Sequence, residues 1–326
     1  MDVLLTVALP IFALIFVGYG AGRWHLLSDE GIAGINVFVY AFALPVMLFD
    51  KLSSTPINRL LDGTFIVAYL IATGLVYGGA YLFARRVLGS NGGDAAQQAM
   101  GASYGNTGYM GLPIAQAAAG RTATVPMAVC MTLDMFFLMP LTMVLVSAAT
   151  QNGRGGWKLA LRTALRGLFA NPMVLGILAG ALLSALDVPM PASVRTFTAL
   201  LGGAAGPCAL FAIGATLAVQ PRAQSGNGGS STRVLEGSLP QIALMTVGKL
   251  VVHPLLMWAF MAGVFSIDPL WVSVAILAAA LPVASTVYVV AGRYRTYLPQ
   301  ISAAILASTV ASVITVSLVL TALFSG

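Results

Sequence analysis

Charge is the scarcest ingredient of this sequence. Lysine, arginine, aspartate and glutamate make up 8% of its 326 residues, against roughly 25% in a soluble domain. So few charges cannot cover a water-facing surface, which excludes a soluble enzyme core. Histidine occurs twice, as His25 and His253, too few for a histidine-built metal centre. The two cysteines, Cys130 and Cys208, both lie in apolar runs and read as small core residues, not as a disulfide or metal pair. A Gly-x-x-x-x-Gly-Lys-[Ser/Thr] phosphate loop is absent, which argues against ATP-driven pumping by this chain. No His-Glu-x-x-His stretch occurs, so the zinc type of intramembrane enzyme lacks its motif. No cofactor is implied.

What is present is hydrophobicity, at 59% of residues, in runs of about 20 that recur from end to end. The pattern predicts an all-α polytopic membrane protein embedded in a lipid bilayer. Ten spans are expected, near residues 4–22, 31–50, 63–85, 95–119, 123–148, 164–186, 195–219, 240–265, 270–291 and 299–324. Met1-Asp2-Val3 lacks the basic start of a signal peptide, so the first run reads as a retained helix. Gly, Pro and polar clusters mark the loops, including Gln151-Asn152-Gly153-Arg154 and the Gly/Ser linker that begins at Gln224.

The net charge of +6 sits between spans and reads as a topology signal, with no nucleic acid implied. With an outer N-terminus, eleven Lys and Arg fall in inner loops, among them Arg85, Arg86, Lys158 and Arg166. Only Lys51, Arg59, Arg121 and Arg195 fall outside. That bias predicts ten spans with both termini periplasmic, in a bacterial inner membrane.

The chain also repeats itself. Ala8, Pro10, Ile15 and Gly18 recur 162 positions later as Ala170, Pro172, Ile177 and Gly180. Ala43, Pro45, Leu48 and Phe49 recur at the same offset as Ala205, Pro207, Leu210 and Phe211. Leu112, Pro113 and Ala115 recur 169 positions later as Leu281, Pro282 and Ala284. Residues 1–150 and 151–326 are thus expected to be two five-helix repeats. Five is odd, so the second enters the membrane from the opposite side, and a site is expected at the interface of such inverted repeats.

Two spans are interrupted in corresponding places, at Gly105-Asn106-Thr107-Gly108 through Leu112-Pro113 and at Leu281-Pro282-Val283-Ala284-Ser285-Thr286. Unwound backbone at membrane depth survives only inside protein or along a wet cavity. A helix restarted there carries about half a positive charge at its N-terminus and can hold a carboxylate. Substrate contacts are therefore expected from Asn106, Thr107, Gly108, Pro113, Pro282, Ser285 and Thr286. The alternative is a pair of structural kinks.

Asp134 is the one acid deep in a span, where a carboxylate costs about 3 kcal/mol on insertion scales. It is a candidate to carry a proton or ligate sodium, or else to anchor freed backbone. Lys249 and His253 lie four apart on one helix face. A proton relay, a partner for Asp134, a snorkelling lysine and a histidine that donates to a carbonyl loosened by Pro254 all remain open. Ser308, Ser312 and Thr315, with Thr309 beside them, form a polar stripe on the last span, either lining an ion site or packing helices. Met127, Met131, Met135, Met139 and Met143 recur every fourth residue, as core or as a sliding face. Asp50, Lys51, Arg59 and Asp62 read as solvated.

At Gly105-Asn106-Thr107-Gly108 through Leu112-Pro113-Ile114, at Lys249-Leu250-Val251-Val252-His253-Pro254, at Ala205-Gly206-Pro207 through Gly214 and at Ala307-Ser308-Thr309-Val310-Ala311-Ser312, the chain resembles the auxin efflux carrier family. The resemblance covers nearly the whole chain. It implies two inverted five-helix repeats with crossed, broken fourth and ninth helices, a fold like that of bile-acid and sodium/proton transporters. It also implies an elevator mechanism, with spans 1, 2, 6 and 7 as a scaffold that forms a homodimer and the other six spans moving. Bacterial relatives are described as carriers of malonate or other small carboxylates, and plant relatives export indole-3-acetate. The long regulatory loop of the plant proteins is missing.

The function expected is secondary transport of a small organic anion, malonate first, coupled to protons or sodium or to neither. An exporter of an auxin-like aromatic carboxylate, a channel and an intramembrane enzyme are the alternatives. An aspartyl enzyme needs two facing membrane acids, and only Asp134 is deep.

Overall fold

A computed structural model describes residues 9–57, 62–150, 161–162, 165–167, 169–224, 238–263, 267–294 and 297–324. The start of the first span, the polar loops at 151–156 and 225–231, and Arg59, Arg154, Lys158, Arg233 and Arg295 lie outside the described residues.

Helices begin where the sequence supplies a cap. Asp62 Oδ1 accepts from the Thr64 and Phe65 N–H groups at 2.9 and 3.1 Å, and Asn171, Asn91 and Asp268 cap in the same way. The helices are α1 (Leu9–Arg23), α2 (Asp29–Ser53), α3 (Gly63–Arg86), α4 (Gly92–Ser103), α5 (Leu112–Ala119) and α6 (Arg121–Ala149). Then come α7 (Pro172–Ala185), α8 (Ala192–Val219), α9 (Leu239–Gly263), α10 (Pro269–Ala280), α11 (Ser285–Tyr294) and α12 (Leu298–Phe324). Six of them, α2, α3, α6, α8, α9 and α12, are long and apolar enough to cross a membrane. The protein is all-helical and polytopic, and among the described residues it has no strand beyond one isolated bridge.

Four π-turns interrupt these helices, at Val39–Ala43, Thr107–Gly111, Asp134–Leu138 and Gly248–Val252. Each ends two residues before a proline, namely Pro45, Pro113, Pro140 and Pro254. Proline cannot donate to the carbonyl four residues back, and its ring crowds that carbonyl. One extra residue in the turn relieves the clash. The closing bond then spans five residues, as from Leu44 N–H to Val39 and from His253 N–H to Gly248.

Packing divides the helices into two sets. α1 packs on α8 and α7 on α2, with α8 also against α2. In the other set α3 packs on α4 and α9, α4 on α6, and α9 and α10 on α12. Glycine makes the first set possible. A Cβ at Gly18 would sit 2.0 Å from the Phe211 carbonyl oxygen, and one at Gly214 would sit 1.8 Å from that of Ile15. Gly180 meets the Phe49 carbonyl in the same way across α7 and α2, at 2.8 Å. Backbones that close gain dispersion contact, the main force between helices in lipid. The methionine row of α6 is core: Met127, Met131, Met135 and Met143 are buried.

Gly214→Val is expected to prise α1 from α8 and to cost about 2–3 kcal/mol. Gly74→Ala, on an open face of α3, is expected to leave the protein as stable as before. Thermal unfolding in detergent checks both; equal midpoints for the two variants would contradict the packing.

Candidate functional site

The two interrupted segments meet. α4 ends at Ser103, Tyr104 turns extended, and the chain passes Gly105 and Asn106 before winding again at Thr107. α10 ends at Ala280, and Leu281 is extended at φ −67°, ψ 152°, as residues before proline prefer. Gly105 and Val283 then pair as an antiparallel bridge. The Asn106 N–H donates to the Pro282 carbonyl at 2.9 Å, and the Ala284 N–H donates to the Tyr104 carbonyl at 3.2 Å. From α12, Ser308 Oγ accepts from the Val283 N–H at 3.1 Å. Each break therefore satisfies backbone groups that the other exposes. No side chain fits at position 105, because a Cβ would lie 2.8 Å from the Ala278 carbonyl oxygen.

A severed helix leaves its last carbonyls without partners. For α10 the partner is Lys249. Its Nζ donates to the Ala278 carbonyl at 3.2 Å and also to the Ala279 carbonyl. The lysine is wholly buried, which overturns the snorkelling alternative. Its Nζ also lies 3.1 Å from His253 Nδ1, and His253 Nε2 lies 3.2 Å from Thr73 Oγ1. A protonated lysine has only donors, so Nδ1 accepts and the Nε2–H donates to Thr73; the tautomer is assigned from this network. No freed carbonyl receives the histidine proton.

Asp134 is buried, and Tyr69 Oη donates to its Oδ1 at 3.0 Å. Lys249 is within its electrostatic reach but forms no ion pair with it. Asp134 and Lys249 both sit in proline-induced π-turns. α3 supplies the opposite wall. Tyr69, Thr73 and Tyr77, four apart, bond Asp134, His253 and Thr142 in turn. Sequence reasoning passed over this stripe, although hydroxyls at i, i+4 and i+8 of an apolar span were the visible signal.

The expected substrate residues divide. Asn106 and Gly108 are half-buried at the break, Thr107 is buried, Ser285 is exposed and Thr286 half-buried. Gly108, Tyr109, Ser285 and Thr286 occupy the first turns after the breaks, where N–H groups lack an intrahelical acceptor. Pro282 lies in its break, but Pro113 does not. It stands near the start of α5, after a π-turn, so the sequence match of Pro113 to Pro282 is not the structural one. Gly105 opposite Val283 is. On α12, Ser308 reaches the break, whereas the Thr309 and Ser312 hydroxyls donate to carbonyls of their own helix. Asp50 and Lys51 are not freely solvated: they pair at 2.5 Å, and Thr198 Oγ1 donates to Asp50 at 2.8 Å. Among the described residues no cluster of His, Cys, Asp and Glu could hold a metal ion.

Comparison with known proteins bears on what this arrangement does. The profile of the family described as "Membrane transport protein" matches residues 3–155 and 157–320. A "Putative malonate transporter" of Rhizobium meliloti (strain 1021) is 33% identical over 98% of this chain and 95% of its own length. The "Uncharacterized transporter YfdV" of Escherichia coli (strain K12) is 25% identical over 95% of this chain and 94% of its own. A "Probable auxin efflux carrier component 9" of Oryza sativa subsp. japonica is 38% identical over 60 residues, 18% of this chain and 14% of its own. The relatives are transporters and not enzymes. The chain therefore belongs to the membrane transport protein family, that of the auxin efflux carriers, and is a membrane transporter.

Proposed function

We propose that this protein is a secondary carrier of a small organic anion, malonate or a similar carboxylate, in the bacterial inner membrane. The observation that carries the reading is the meeting of the two breaks at Gly105 and Val283. It brings two helix starts to one place, each carrying about half a positive charge. A carboxylate there is held by N–H groups of Gly108, Tyr109, Ser285 and Thr286, with the Asn106 side chain beside them. The malonate named for the Rhizobium relative supports the choice of cargo. The short likeness to the rice protein favours an aromatic carboxylate as the second candidate.

In this reading the chain crosses the membrane ten times as two inverted five-helix repeats, 1–150 and 151–326, with both termini periplasmic. The matched contacts Gly18–Phe211 and Gly180–Phe49, related by the repeat offset of 162, support it. The set α1, α2, α7 and α8 is the scaffold, and the other set carries the cargo past it as an elevator. The scaffold forms a homodimer through α2 and α8, where Phe42, Phe197 and Leu200 are exposed.

Lys249 bears on coupling. Half-helix carbonyl ends are where transporters of crossed-helix design coordinate sodium. Here a tethered ammonium fills that end. The carrier therefore works without sodium, and Asp134 is the proton-coupling group.

Asn106→Ala is expected to abolish uptake of malonate into proteoliposomes while expression and the dimer persist; unchanged uptake kinetics would refute the crossover site. Initial rates in sodium and in choline media are expected to be equal for the wild-type protein. Lys249→Met is expected to lower the rate at least about tenfold, since buried carbonyls lose their partner. Strict sodium dependence of the wild type would remove Lys249 from this role. Asp134→Asn is expected to free uptake from an imposed pH gradient or to stop it. Gradient-driven accumulation that survives the change assigns coupling elsewhere.

A further inference from the structure

A further cavity lies away from the crossover. It encloses about 690 Å³ where the ends of α2 and α8 face the α5–α6 connection and the start of α10. Its chemistry is set by Lys51, Arg121, Arg195, Asp50 and Asp268. Both acids are engaged. Asp50 is held by Lys51 and Thr198, and Asp268 caps α10 through the Leu270 N–H at 2.8 Å. Both arginines are exposed, and among the described residues neither has a carboxylate partner. Both line this cavity, Arg195 from α8 and Arg121 from the turn that follows Gly120.

A smaller cavity of about 40 Å³ shares Arg121, Asp50 and Lys51 and is lined further by Gln116, Gly202 and Gly203. Gln116 belongs to α5, whose Pro113 lies beside Gly206 of α8. The smaller cavity thus shares lining with the larger one and reaches Gln116 of α5, the helix that starts just after the first break. Residues 106 and 121 are about 20 Å apart along that helical path.

We propose that this vestibule is a capture site for the carboxylate cargo, with Arg121 and Arg195 as its anion-binding side chains. The inference rests on the anion-carrier reading and adds a first station to it. Guanidinium forks match carboxylates in a bidentate manner. A concave mouth with low-dielectric walls focuses their field and raises the local anion concentration. One arginine stands on each packing set, so a dianion held in the vestibule meets positive charge from both.

The test is malonate uptake by proteoliposomes carrying wild type, Arg121→Gln, Arg195→Gln, the double variant and the double Arg→Lys variant. At low ionic strength the KM is expected to rise about threefold for each single change and about tenfold for the pair, with maximal rate kept. The gap is expected to close at high salt, where such fields are screened. The lysine pair, which keeps the charge, is expected to stay within about twofold of wild type. Wild-type uptake of malonate with an unchanged KM in the double Gln variant overturns the vestibule and leaves the crossover reading standing. A fall in maximal rate at constant KM overturns it as well. A wild type that moves no malonate overturns both readings.

Discussion

Two broken helices lend each other hydrogen bonds, and the rest of the structure depends on that exchange. Backbone cut open at membrane depth has no water to fall back on, and each unsatisfied group costs several kcal/mol. The Gly105–Val283 bridge, with its bonds from Asn106 to Pro282 and from Ala284 to Tyr104, settles that cost between the two segments. Ser308 serves one further N–H, and Lys249 serves the carbonyl end of α10. The groups left over are the first-turn N–H groups after each break, which aim positive charge into one place. In the proposed reading they form the anion site, without a buried arginine.

Proline does a second and quieter job. At four places it opens a π-turn two residues upstream, and three of those turns hold Thr107, Asp134 and Lys249. An added residue rotates the helix face, and π-turns recur at functional sites for this reason. Here they accompany the burial of an acid and a base in helices that are otherwise apolar. α3 then meets the acid with Tyr69, and meets His253, the lysine's neighbour, with Thr73.

Much of this was legible in the residues. The helix positions followed from hydropathy and from the Gly, Pro and polar clusters between apolar runs, and the interruptions from Gly105-Asn106 and Leu281-Pro282. The register of the breaks was not. Residue identity matched Pro113 to Pro282, yet Pro282 breaks its helix outright while Pro113 only widens a turn, because the chain has already parted at Gly105. Lys249 was ambiguous for a similar reason. Sequence spacing shows that it shares a face with His253, but not that the severed end of α10 lies opposite. The hydroxyl stripe of α3 was present in the spacing but carried no meaning until its partners on α6 and α9 were placed.

The central claim is that the amide ends of both severed helices grip one anion together. Hydrogen–deuterium exchange with peptide-level readout, with and without malonate, addresses it most directly. Peptides covering 104–111 and 281–287 are predicted to slow together on adding malonate, with the outward face of α3 unchanged. Exchange that is the same in both peptides, or protection confined to segments far from them, would contradict the account.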